Sequence, residues 1–73
     1  MHKTVSGLEM AKFLQSKGFS VYSRKGSHVK MISKERHAKT IVPMHGTISI
    51  GTLNAIFRQA KLSEEEILEV LEK

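Results

Sequence analysis

Between Phe19 and Pro43 apolar and polar residues alternate in three short runs, each closed by a turn, and this pattern limits the fold more than any other feature. The runs are Phe19–Arg24, His28–Ile32 and Thr40–Pro43. A period of two with β-branched and aromatic residues reads as strands. Lys25-Gly26-Ser27 is a turn, and Ser33 to Lys39 is a longer polar one. Connections this short join neighbouring strands only in an antiparallel sense, because a parallel crossover needs a dozen residues or more. In the second strand Val29 and Met31 point one way, and His28 and Lys30 the other. Tyr22 has two readings, a ring on the side of His28 that could stack on a base or, more simply, a half-buried strand tyrosine. Pro43, which cannot donate to a ladder, closes the third strand.

A three-stranded sheet of this kind needs a cover for its apolar face, and the flanking segments supply it. Ser6-Gly7-Leu8-Glu9 has the spacing of a capping box, with Val5 and Met10 as a hydrophobic staple. Met10, Ala11 and Leu14 share one face, and Gly18 is suited to end the helix, which is placed at about 7–16. Ser49 caps a second helix at about 50–60, with Leu53, Ile56, Phe57 and Ala60 toward the core. Ser63-Glu64-Glu65-Glu66 is a second capping box, and Ile67, Leu68 and Leu71 form the apolar stripe of the last helix. Phe13, Phe19 and Phe57 belong to the core. The expected architecture is α+β: a three-stranded antiparallel sheet with helices on one face, in the order α-β-β-β-α plus a short C-terminal helix. The opposite face is left to water.

The 73 residues are read as one domain, residues 1–73. A domain of this size buries only about 60% of its unfolded surface, so its core is thin and any site is shallow. Shallow sites suit polymers better than small metabolites. The chain has no cysteine, no apolar run near membrane-spanning length and no signal-peptide pattern at its start, which together suggest a cytoplasmic protein. Its charge is divided. Residues 1–61 carry eleven Lys or Arg against Glu9 and Glu35, whereas residues 62–73 carry five Glu and one Lys. A cationic body suggests a polyanionic partner, although a solvated basic surface would look the same.

Few residues are equipped for chemistry. Of the four histidines, no pair has the i, i+4 spacing of a helical zinc motif and there is no cysteine, so no metal site is expected. No cofactor is expected either. Ser27 adjoins His28, but neighbours on a strand face opposite sides, which rules out a simple nucleophile–base pair. Paired carboxylates for glycoside or two-metal chemistry are missing from the body. What remains is His28 in a basic field of Arg24, Lys25, Lys30, Lys34, Arg36 and Lys39, half of all the Lys and Arg in the chain. RNA is the polymer that can be cut with so little, because it carries its own nucleophile, the 2′-OH. One group titrating near neutrality can act as general base or acid, and nearby cations can offset the charge growing on the phosphorane. DNA lacks the 2′-OH and should survive. The plain alternative for His28 is an exposed strand residue, or one that hydrogen-bonds the Gly26-Ser27 turn. His37 reads as solvated, His45 as a residue shaping the loop into the second helix, and His2 as a disordered terminal residue. One Tyr, three Phe and no Trp do not make a base-stacking platform.

These residues, taken in order, resemble the HicA (YcfA-like) family of mRNA interferase toxins. The resemblance rests on Ser6-Gly7, Lys17-Gly18-Phe19, Arg24-Lys25-Gly26-Ser27-His28, Val42-Pro43-Met44-His45, Gly51-Thr52-Leu53, Ile56, Arg58-Gln59-Ala60 and Ser63-Glu64-Glu65. It implies a fold like the double-stranded-RNA-binding domain. It also implies a metal-independent endoribonuclease that stops translation by cutting mRNA, with the histidine after Gly-Ser, here His28, as general acid or base. Arg24, Lys25, Ser27 and Lys30 would then contact RNA. The resemblance further implies a HicB-type antitoxin that covers this face, with DNA met only through the toxin–antitoxin complex. Three segments depart from the pattern: the turn from Ser33 to Lys39 is where members commonly vary, so no RNA contact is carried over to it; Thr47-Ile48-Ser49-Ile50 is more apolar than the usual lead into the helix; and the acidic helix after Ser63 is pronounced. Two other readings compete, a non-catalytic RNA-binding module of the same fold and a protein-interaction domain whose basic face meets an acidic partner.

Overall fold

The computed structural model describes residues 4–72, so the expectation for His2 lies outside it. The elements run α1 (Gly7–Ser16), β1 (Ser20–Lys25), β2 (His28–Ser33), β3 (Ala38–Pro43), α2 (Ile50–Gln59) and α3 (Glu64–Leu71). The sheet has the order β1-β2-β3 and is antiparallel throughout, which is the expected α+β arrangement.

Helix α1 starts where its capping box predicts. Ser6 Oγ accepts the Glu9 N–H at 3.0 Å, and the Ser6 N–H donates to Glu9 Oε1 at 2.9 Å. It ends in a Schellman motif, with the Phe19 N–H on the Leu14 carbonyl, the Gly18 N–H on that of Gln15, and Gly18 at φ 96. Ser49 and Ser63 cap α2 and α3 through the Thr52 and Glu66 N–H groups. Val5, Met10, Phe13, Leu14, Phe19, Val29, Met31, Val42, Leu53, Ile56, Phe57 and Val70 are among the residues of one core, with α1 and α2 packed against β3. Ile48 belongs to it as well, so one of the two isoleucines in the unusually apolar lead into α2 is a core residue, while Ile50 is exposed.

Three details depart from the sequence reading. The longer turn is shorter than expected: β2 runs on to Ser33 and β3 begins at Ala38, leaving Lys34–His37 to reverse the chain. Ser33 and Ala38 are buried, which polar composition concealed. In α3 Leu68 is 53% exposed and Val70, at 4%, is the residue that enters the core, with Ile67 and Leu71 partly buried beside it. Ile67 and Leu71 keep their expected places in the stripe, and Val70 takes the one expected of Leu68. Finally, β1 carries a bulge. Val21 pairs with Met31 but Ser23 pairs with Lys30, leaving Tyr22 as the extra residue. Downstream of the bulge Lys25, not Arg24, stands opposite His28, and the turn contracts to Gly26-Ser27, with Gly26 at φ 58.

Candidate functional site

Residues directly opposite one another in an antiparallel sheet share a face. Lys25, His28 and Pro43 form one such row, and Ser23, Lys30 and Ile41 the next. Their companions on the other face, Val29 with Val42 and Met31 with Thr40, are buried. His28 therefore lies on the open face, exposed, as alternation in β2 predicts. Lys25 and Lys30 join it there. Tyr22, the extra residue of the bulge, is exposed and lines a shallow depression on this side with Lys30, Lys39 and Ile41. Arg24 does not join them: it is paired with Val29 and so projects from the opposite face of the edge strand.

The basic field divides on inspection. Arg36 is occupied, donating Nη1–H and Nη2–H to the two carboxylate oxygens of Glu66 at 2.9 and 2.5 Å, with its guanidinium 5.9 Å over the Phe19 ring. The same Nη1 lies 3.4 Å from the Lys61 carbonyl. Such a fork-to-fork pair holds geometry as well as charge. The Arg36 hydrogen bonds hold the Glu66 carboxyl down at about 2, against an ordinary 4.5, over the opposing effect of burial. Lys17 is likewise turned toward α3, 3.2 Å from Glu69. Among the described residues Lys25, Lys30, Lys34, Lys39 and Arg24 have no ion-pair partner. Arg36 thus leaves the set of cations counted in the basic field and becomes a clasp between the β2–β3 turn and the acidic helix.

The structure adds one residue to the site. His45 stands against His28, ring centroids 6.3 Å apart and planes at 70°. Ser27 Oγ lies 3.5 Å from His45 Nε2, at the far limit of hydrogen bonding. The loop is held from three sides, by the Met44 N–H on the Ser27 carbonyl (2.6 Å), the Gly7 N–H on the His45 carbonyl (2.8 Å) and the Ile48 N–H on the Val5 carbonyl (2.8 Å). Gly7 is required for this contact: a β-carbon there would run into the Pro43 carbonyl oxygen and come within 2.6 Å of the Met44 Cα. His45 does shape the loop, as expected, but its ring is also delivered to the candidate site. A signal for it was present. With the β2–β3 turn centred on Lys34–His37, the register pairs His28 with Pro43 and sets His45 two residues further on.

His28, Pro43, His45, Thr47, Ser49 and Thr52 line an open cleft of about 440 Å³ where the sheet meets the start of α2, together with Ile41 and Ile48. No acidic side chain lines it. Among the described residues no three His, Cys, Asp or Glu side chains gather as a metal site would require. None of the described helices is long and apolar enough to cross a membrane.

Compared with known protein families, residues 7–62 match the family model described as the HicA toxin of bacterial toxin-antitoxin systems. No curated protein matches the chain.

Proposed function

The chain belongs to the HicA family of bacterial toxins, the matched residues 7–62 being well over half of its length, and from that premise we propose that it acts as a metal-independent endoribonuclease on mRNA, with His28 as the general acid or base. Membership makes it the toxin half of a toxin–antitoxin system and so implies an antitoxin partner. On this reading the partner is of the HicB type, covers the open face of the sheet, and brings the toxin near DNA only within the complex. The working compartment is then the cytoplasm, where mRNA is.

One observation carries the proposal. His28 is exposed on a face that holds the unpaired cations Lys25 and Lys30 and no acidic side chain in the adjoining cleft. Were His28 only a turn-bonding residue, its surroundings would be of no consequence. A polyanion drawn to Lys25 and Lys30 brings its phosphates to the imidazole. On this reading Ser27, in the same turn, donates a hydrogen bond to a phosphate oxygen. Arg24 adds positive charge from the far side of the edge strand. RNA then supplies the 2′-OH, the imidazole moves the proton, and the two lysines offset charge on the phosphorane.

The test is cleavage of a long single-stranded RNA by the purified protein in EDTA, beside a His28→Ala variant whose fold is checked by circular dichroism. Proton transfer by a positioned side chain contributes about 10²–10⁴ in rate, so the folded variant is expected to lose at least a hundredfold. Equal cutting by both would remove His28 from the reaction. Binding without cutting by either would leave an RNA-binding module.

A further inference from the structure

The geometry points to His45 as a second catalytic residue, sharing proton transfer with His28 across a phosphodiester seated in the cleft that both rings line. This rests on the ribonuclease reading above.

Cleavage at a 2′-OH requires two proton movements. As the 2′-oxygen bonds to phosphorus its proton must leave, and as the bond from phosphorus to the 5′-oxygen breaks, that oxygen must gain one. The products are a 2′,3′-cyclic phosphate and a 5′-hydroxyl, with no other reactant consumed. The two oxygens lie on opposite sides of phosphorus in an in-line displacement, so one side chain cannot easily serve both in a single passage. A neutral imidazole on one side and an imidazolium on the other balance the exchange; at its end the first holds the 2′-proton and the second has given one up, and exchange of one proton each with water restores both.

His28 and His45 meet the steric demands of this division. Both are exposed, both line the same cleft, and their centroids are 6.3 Å apart in an edge-to-face arrangement. Rings at that spacing meet edge to face, so a phosphoryl group sits over the pair in the open cleft, where one nitrogen of each ring can come within the hydrogen-bond reach, about 2.6–3.2 Å, that a proton donor or acceptor needs. No carboxylate lines the cleft to hold either ring in a salt bridge. The backbone around His45 is also built to hold its position. It is tied to Ser27, the residue before His28, by the Met44 N–H, and to the first residue of α1 by the Gly7 N–H. A loop whose only task was to connect β3 to α2 would not need the side-chain-free contact at Gly7.

The deciding experiment compares two substrates. An RNA oligonucleotide spanning a cleavage site mapped with the parent protein is made with either oxygen or sulfur at the 5′ leaving position. A thiolate leaves without a proton, so sulfur relieves the need for a general acid and leaves the need for a base. His28→Ala, His45→Ala and His45→Gln are each checked for fold by circular dichroism. On the oxygen substrate His28→Ala and His45→Ala should each lose a hundredfold or more, and His45→Gln, which keeps a polar group near Ser27, should fare no better than alanine. On the sulfur substrate only one of the two histidine positions should recover. If His45→Ala cuts the oxygen substrate at the parental rate, or if neither position recovers with sulfur, His45 is outside the chemistry and only holds the loop. Those results leave the ribonuclease reading standing, whereas a parent that cuts no RNA removes that reading itself.

Discussion

Strand β2 has two ends that are built on opposite principles. At its start, His28 is exposed beside Lys25 and His45, with no carboxylate in the cleft. At its finish, Ser33 is buried and accepts the Arg36 N–H, and the Arg36 guanidinium is spent on Glu66, the Lys61 carbonyl and the Phe19 ring. The same residue type, a cation in a turn region, is left free at one end and fully engaged at the other. The difference follows from where the acids are. Glu66 and Glu69 lie on α3, which packs near the finish of β2 and binds Arg36 and Lys17 there. Among the described residues the acidic helix therefore engages Arg36 and Lys17 near the finish of β2, where Lys34 and Lys39 stay unpaired, and has no ion pair with the cations at the start of that strand. Its expected covering role is carried by Val70 in the core and by these two pairs.

The largest test of this contrast is charge reversal at the open end. Lys25→Glu with Lys30→Glu should weaken RNA binding roughly a hundredfold near physiological salt and flatten its salt dependence, since each lost phosphate contact on a single strand lowers the slope by about 0.7. Lys34→Glu, beyond the other end of β2, should have a much smaller effect. Equal losses for the two changes, read by fluorescence anisotropy over a salt series, would mean that the charge acts as an undivided field.

Much of this division was legible in the sequence, and the parts that were not have identifiable causes. The capping residues Ser6, Ser49 and Ser63 mark all three helices, because a cap is a local side chain-to-backbone contact. Alternation placed His28 and Lys30 on the open face because β2 is a regular strand. The bulge at Tyr22 was not readable, since it shifts pairing by one residue without changing composition. That shift exchanged Lys25 for Arg24 opposite His28. The Arg36 clasp was hidden for another reason: it joins residues 30 apart in sequence, and a polar turn looks solvated until its partner is known. His45 was missed because it follows the strand's end, where periodicity stops giving direction.

Next in size is the packing beneath the open end. Gly7→Ala should destabilise the fold by about 2 kcal/mol, the usual scale for forcing a methyl group into a filled space, because the atoms it meets are backbone of Pro43 and Met44. Thermal denaturation measures the loss. In the surviving folded fraction, amide shifts of Met44 and His45 should move, whereas those of Lys34–His37 at the closed end should not.

The closed end has its own signature in acid. Glu66 is held near 2 by Arg36, well below its ordinary 4.5. A carboxyl depressed on folding stabilises the protein at pH values above its unfolded value, and that contribution fades as pH falls from about 4.5 toward 2. Glu66→Gln should therefore cost about 1 kcal/mol at neutral pH, a figure kept low because the pair is near the surface and screened by water. Parent and variant stabilities should converge in that acid window. Cleavage of RNA, at temperatures where both are folded, should not change. A constant gap from pH 7 to pH 2 would assign the effect to lost capping of α3 instead of to the ion pair.

The smallest effect concerns the turn between α2 and α3 that carries the Arg36 contact. Lys61 takes φ 56 at the C-terminus of α2, where the Leu62 N–H reaches the Phe57 carbonyl and the Lys61 N–H that of Arg58, again a Schellman motif. That backbone region costs a non-glycine residue about 1 kcal/mol or somewhat more. Arg36 touches the carbonyl of Lys61 and not its side chain, so glycine keeps the contact and removes the strain. Its greater freedom in the unfolded chain offsets part of the gain. Lys61→Gly should then stabilise the protein by about 0.5 kcal/mol in denaturant unfolding and leave RNA affinity within a factor of two. The removed cation lies beside α3, away from the cleft. A larger fall in affinity would place RNA at the closed end as well, and the two ends of β2 would no longer be functionally distinct.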